Sequence, residues 1–439
     1  MDQPGGPVPL SVFRGTALYV GALLGPGLLL LPGLAARAAG PASILAWAGL
    51  LVVSALLAVV FATLGRAHPD ARGVAGYAAA GLGPAAGRVV SWCFLAGVVG
   101  GAPVVCLIGA SYVTGLTGGG LLARCMVGAA LLLVVLALTL GGMRASSTAQ
   151  LVLVTLLIVI IAVAVAGSAP AARAGNWTPF APHGWAAIGR AAAVLMLSFA
   201  GWEAVAPLTA RFRDPGRQLP RVIGAAFGVT AVLYLSLAVT TIAVLGPAAA
   251  TDVPLADLLV RAAGETGRVA AAVAAVVLTL GTVNAYLSGA AALARQLAGG
   301  ASEAGVTPGA RGAFGASKAG GATGPRGVVE AGEAGRGRAG TWPFLAASAL
   351  AGLVVIGLYA AGLVGTTQLI GLPTTLFLVV YLGCTVSAAR TLRGWTRGAA
   401  VASALAVLVV LAFCGWPLAV AAAVTGAAVL TRRRARPAG

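Results

Sequence analysis

The feature that most constrains this chain is a succession of apolar runs separated by short polar or charged segments. An α-helix rises about 1.5 Å per residue, so about 18 apolar residues suffice to cross the hydrocarbon core of a membrane. Runs of that kind cover residues 13–37, 41–65, 86–116, 121–141, 147–168, 188–211, 222–246, 267–294, 343–363, 367–388, 398–414 and 416–431. The last two are short and part only at Gly415, where Trp416 and Pro417 support a tight turn. Lipid offers no partner to a backbone N–H or C=O, so long apolar runs satisfy these groups internally as helices. The expectation is an all-α polytopic membrane protein with about twelve transmembrane helices.

Composition decides against the main alternatives. Charged residues make up 9% of the chain and hydrophobic residues 59%, whereas soluble domains carry about 25% charged residues, so a water-facing surface cannot be built. The 64 glycines suit helices that pack closely in lipid. A formal charge of +18 would point to nucleic acid only if the basic residues formed one clustered face. They lie instead in short segments between the runs, which predicts the lipid bilayer as partner and no nucleic acid. The five cysteines lie in or beside apolar runs without a CxxC pair or a neighbouring histidine, so neither a metal, a cofactor nor a disulfide is expected.

Orientation follows from the basic residues. Of the 28 lysines and arginines, only Arg37, Arg124, Arg173, Arg190, Arg261 and Arg268 fall in the segments that an inside N-terminus would place outside. The other twenty-two fall in the alternate segments, which is the positive-inside asymmetry of a chain with both termini cytoplasmic and an even number of spans. The first ten residues lack a basic region and a small-residue cleavage site, so the first run reads as a retained span. These readings divide the chain into a cytoplasmic N-terminus (1–12), five helices (13–168), an outer loop (169–187), five more helices (188–388), two appended helices (398–431) and a basic cytoplasmic tail (432–439). The Gly/Ala-rich stretch at about 297–341 reads as a flexible cytoplasmic loop inside the second five.

Two spans carry irregularities that a plain membrane helix would not. The first contains Gly25-Pro26-Gly27, where proline removes an N–H and the glycines free the backbone. The sixth contains Ser198-Phe199-Ala200-Gly201-Trp202-Glu203, and Glu203 is the one acidic residue within an apolar run. A charge at membrane depth costs about 3 kcal/mol on insertion scales, which makes it a functional candidate by default. The alternative is a protonated or hydrogen-bonded glutamate that ties helices together. Interrupted helices at matching places in two five-helix halves point to a transporter with a 5+5 inverted-repeat (LeuT-like) core plus two extra helices. Gly25, Pro26, Gly27, Ser198, Phe199, Ala200, Gly201 and Trp202 are then candidate substrate-binding residues, with Glu203 coupling or structural. Asn284 and Tyr286 interrupt the eighth span and join them, although such polar residues equally serve to bond neighbouring helices.

Three stretches carry a resemblance to a known family. They are Leu24-Gly25-Pro26-Gly27 through Phe61 to Pro69 and Gly73-Val74-Ala75, then Arg144-Ala145-Ser146-Ser147, and Gly201-Trp202-Glu203-Ala204 with Arg213-Asp214-Pro215-Gly216-Arg217-Gln218-Leu219-Pro220-Arg221. Together they resemble the amino acid–polyamine–organocation (APC) superfamily of permeases, and are most similar to bacterial exporters of L-methionine and branched-chain amino acids. The resemblance implies a secondary active transporter of the plasma membrane working by alternating access, with protons as a possible coupling ion. Pro26 stands where relatives commonly have a small hydroxyl residue, and span five lacks the lysine that replaces a sodium ion in some proton-coupled relatives.

Besides Glu203, no cationic or acidic side chain is available to pair a charged substrate side chain, so a small apolar zwitterionic amino acid fits better than a polyamine, arginine or glutamate. Import of an amino acid or polyamine remains the alternative within the superfamily. An intramembrane enzyme would need convergent catalytic groups, yet the two histidines, His68 and His183, lie on opposite sides of the expected membrane. A channel would show charge rings or filter repeats, and none is found.

Overall fold

A computed structural model describes residues 11–25, 27–68, 73–141, 147–199, 201–202, 212–303 and 326–434. Among these the regular elements are all helical. The expected first span is two helices, α1 (Val12–Leu23) and α2 (Gly27–Ala39). Spans two to five are α3 (Ser43–Ala67), α5 (Pro84–Thr117), α6 (Leu121–Leu140) and α7 (Ser147–Ser168). A short helix, α4 (Gly73–Leu82), precedes α5 and buries Val74, Tyr77 and Ala78. Its ten residues are too few to cross a membrane, which is why hydropathy alone leaves it as a loop.

The sixth span begins as α8 (Ala186–Leu195) and tightens into a 3-10 turn, Met196–Phe199. α9 (Pro215–Thr240) follows, capped by the Asp214 carboxylate, which accepts from the Arg217 N–H. α10 (Pro254–Glu303) bends at Ala263 and Gly264, so its first turns form a separate outer piece. α11 (Arg326–Ala360), α12 (Thr366–Thr391), α13 (Trp395–Ala412) and α14 (Pro417–Arg434) complete the chain. Within the loop expected at 297–341, α10 extends to Glu303 and α11 starts at Arg326, so both flanks are helix; residues 304–325 lie outside the described residues.

Among the described residues nine helical segments are long and apolar enough to cross a membrane by themselves, and shorter apolar helices accompany them, as expected of an all-α polytopic chain. The shorter ones include α1 and α8 of the broken first and sixth spans, and α14, which follows α13 after a tight turn at Gly415. α5 forms the axis of the bundle, packed by α4, α6, α10, α11, α12 and α14. In its most apolar stretch 78% of the residues are buried, against 22% in that of α11, so α5 is core and α11 lies at the periphery of the bundle. Close approach explains the glycines of α5. A methyl at Gly109 would stand 2.6 Å from the Thr279 hydroxyl of α10, a contact that only a bare backbone permits.

The segment after α7 is folded onto the helices rather than free. The Ala243 carbonyl, in the widened π turn that follows α9, accepts from both the Arg173 N–H and the Asn176 amide at 2.8 Å. The Phe180 carbonyl accepts from the Ala42 N–H between α2 and α3.

Candidate functional site

The breaks in spans one and six meet. α1 stops at Leu23, the Leu24 N–H closes back on Val20, and the Gly25 carbonyl accepts from Leu28 as α2 begins. The Ala22 and Leu23 carbonyls leave the regular ladder, the Leu23 carbonyl accepting instead from the Gly25 N–H at 2.9 Å, while the first turn of α2 presents N–H groups without intrahelical acceptors. A helix cut in this way offers a partial negative end and a partial positive end across one gap, which suits the ammonium and carboxylate of a zwitterion.

In span six the chain leaves the 3-10 turn and passes Gly201 with φ at +147°, a conformation that an L-side chain resists. A methyl at Gly201 would lie 2.7 Å from the Ala22 carbonyl oxygen and 3.2 Å from the Leu23 Cα, so the two broken backbones touch there. The Gly201 N–H donates to the Tyr381 hydroxyl of α12 at 3.0 Å. Tyr234 of α9 stands between the breaks: its hydroxyl lies 2.7 Å from both the Leu23 and the Ser198 carbonyl oxygens. One hydroxyl proton serves one acceptor at a time, so Tyr234 links the breaks without saturating either.

Aromatic rings fix this junction. Phe199 packs edge-on to Tyr234 at 5.3 Å, and Trp47 of α3 lies against both, at 6.0 and 5.2 Å. Trp202 is fully buried and donates its indole N–H to Ser54 of α3 at 2.9 Å. In the first turn of α2, before Pro32, the Leu29 carbonyl accepts from the Tyr112 hydroxyl of α5 at 2.6 Å.

A cavity of about 70 Å³ opens beside the junction. Ala22, Gly25 and Gly27 line it from span one and Leu197 from span six. Gly97, Val98, Gly101, Ala102 and Val105 form a smooth wall on α5, and Thr282, Val283, Tyr286 and Phe377 close it from α10 and α12. Among the described residues the lining carries no charged side chain. The Ser198 hydroxyl is buried and has no hydrogen-bond partner among the described residues, 3.3 Å from where a side chain on Gly27 would begin. A buried hydroxyl left unpaired is rare and marks a group that a ligand can satisfy.

The candidates thus separate. Gly25, Gly27 and Tyr286 line the cavity, Tyr286 with its ring edge 6.2 Å from Phe377. Ser198 and Gly201 form the junction, while Phe199 and Trp202 anchor it to α3 and α9. Asn284 stands apart: its side-chain oxygen accepts from Thr139 of α6 at 2.9 Å, and it is not among the lining residues. Pro26, Ala200 and Glu203 lie outside the described residues. Sequence reasoning passed over Tyr234, Tyr381 and Trp47. The available signal was a phenol within an apolar run, since a hydroxyl in lipid must find a partner and broken backbone supplies one. Among the described residues no group of three His, Cys, Asp or Glu side chains could hold a metal ion.

Comparison with known proteins matches residues 10–306 to the family model of amino acid permeases. An uncharacterized amino acid permease of Bacillus subtilis, YecA, is 30% identical over 282 residues, covering 63% of this chain and 65% of the relative. The L-methionine/branched-chain amino acid exporter YjeH of Escherichia coli is 32% identical over 217 residues, 49% of this chain and 51% of the exporter. The glutamate/serine transporter AimA of Bacillus subtilis is 25% identical over 251 residues, 52% of this chain and 46% of that protein. The matches span less than two thirds of the length of these relatives.

Proposed function

The chain belongs to the amino acid permease family, and on that premise we propose that it is a secondary transporter of small apolar amino acids. The observation that carries this reading is the contact of two broken helices beside a cavity lined, among the described residues, by no charged side chain. The substrate's α-ammonium would sit toward the carbonyls of Ala22 and Leu23 at the end of α1. Its α-carboxylate would sit toward the first turn of α2 and the Ser198 hydroxyl. The side chain would lie along the α5 wall from Gly97 to Val105. An uncompensated cationic or anionic side chain in such a lining would lose its hydration without replacement, which favours neutral substrates such as methionine or leucine.

We further propose export as the direction, supported by the likeness to the E. coli exporter, alternating access as the mechanism, and protons as the coupling ion through Glu203. The plasma membrane, with both termini cytoplasmic, is the location that the arginine asymmetry favours. A second reading has its own support: the relative named as a glutamate/serine transporter favours transport of polar amino acids.

The test is flux in proteoliposomes holding the purified protein, with radiolabelled methionine, leucine, glutamate, arginine and putrescine. Both directions are followed with and without a pH gradient. Saturable methionine and leucine flux that the gradient drives supports the reading; saturable glutamate flux alone would replace it. A Glu203→Gln variant whose flux responds to the gradient as the parent does would remove the coupling role.

A further inference from the structure

A second cavity, about 20 Å³, lies further along the same helices, where Leu30 of α2 follows Gly27 and Val104, Ile108 and Ser111 of α5 follow Gly101. Its rim is charged. Asp252, in the segment between α9 and α10, receives Arg37 from the last turn of α2 on one carboxylate oxygen at 3.0 Å. Its other oxygen receives Arg124 of α6 at 2.9 Å. Arg37 also donates to the Ala250 carbonyl at 2.9 Å. Arg124 reaches the Tyr359 hydroxyl of α11 at 3.4 Å, and Tyr359 lies 3.3 Å from Thr366 at the start of α12.

The carboxylate thus ties α2 and α6 to its own segment, and Arg124 extends the network through Tyr359 to α11 and α12. Backbone packing makes the same point independently. A side chain at Gly33 would collide with the carbonyls of Thr251 and Ala249, so the segment that carries Asp252 lies directly on α2. Arg124 and Asp252 are only 24% and 26% exposed, which lifts their pairing above the negligible worth of a surface ion pair.

We propose that Asp252, with Arg37 and Arg124, is an ionic latch that keeps the outer route to the central cavity shut, and that the route opens when both pairs part. Removing the carboxylate leaves two guanidinium groups facing each other and tips the latch toward the open arrangement. Its purpose rests on the transport reading, but its test needs no substrate.

Ser111, buried beneath the latch, becomes the reporter as Ser111→Cys, labelled from outside intact cells by a membrane-impermeant thiol reagent. Every latch variant is measured with and without this cysteine, so that labelling of the five native cysteines is subtracted. Asp252→Asn and Arg124→Gln are expected to raise the labelling rate about tenfold, the effect of losing one partly buried charge pair. Raising NaCl from about 0.05 to about 0.5 M screens the half-exposed Arg37 pair and should speed labelling of the intact latch but not of Asp252→Asn. Should Asp252→Asn fail to reach the membrane, the salt series on the intact latch decides alone. Rates that respond to neither substitution nor salt overturn the latch. Absent amino-acid flux beside a responsive latch would instead count only against the proposed substrate.

Discussion

Gly201 and Ala22 are in backbone contact: a methyl on Gly201 would stand 2.7 Å from the Ala22 carbonyl oxygen. The two irregular spans, 179 positions apart in sequence at this contact, therefore form one structure. Gly201→Ala has to move one break off the other and also hold a side chain at φ +147°. The strain alone is worth about 1–3 kcal/mol. The variant is expected to lose saturable flux while still inserting, which size-exclusion profiles and flux assays on the same preparation will check.

Tyr234→Phe removes the hydroxyl that the Leu23 and Ser198 carbonyls share. The ring and its contacts with Trp47 and Phe199 stay. The Leu23 carbonyl keeps the Gly25 N–H as a donor, so the loss is that of a buried hydrogen bond, about 1 kcal/mol, and thermal unfolding should move to lower temperature. Because the lost bond spans both breaks, maximal flux should fall more than in Tyr112→Phe, whose hydroxyl donates to the Leu29 carbonyl away from the junction.

Gly97→Val tests the α5 wall. A Cβ at Gly97 has ordinary contacts, 3.4 Å from Phe377 and 3.5 Å from Leu376, so the substitution fits the helix but fills the cavity. Leucine and methionine flux should fall about tenfold or more while alanine flux falls less, since overpacking by a few carbons costs about 1–3 kcal/mol. Competition by unlabelled amino acids of increasing side-chain size reads the result.

Asn284→Ala separates packing from binding. Its recorded partner is Thr139 of α6, outside the cavity. The loss of that buried hydrogen bond should lower stability by about 1 kcal/mol, with KM for the substrate unchanged. A raised KM would place Asn284 in the binding site after all.

Much of this architecture is legible in the sequence because bilayer thickness sets span length, and proline between glycines cannot continue a helix. α4 was not legible, since ten residues burying Val74, Tyr77 and Ala78 leave no bilayer-length signature. Nor was the junction's support. Tyr234 sits 211 positions from Leu23, and nothing local to either residue announces the pair. The sequence placed Arg37 and Arg124 in the same set of segments, but their shared partner Asp252 looked like one more loop acid. Pattern reports which face a residue occupies; only the fold reports what waits there.

The most direct test of the central claim is equilibrium binding of L-methionine to the purified protein, set beside methioninol, which lacks the carboxylate, and beside a Gly27→Val variant. A side chain on Gly27 would begin 3.3 Å from the Ser198 hydroxyl and crowd the start of α2. The account predicts saturable methionine binding, binding of methioninol weaker by about tenfold or more for the lost charge-assisted hydrogen bonds, and loss of methionine binding in Gly27→Val. Equal affinity for methionine and methioninol, or undiminished binding by Gly27→Val, would contradict it.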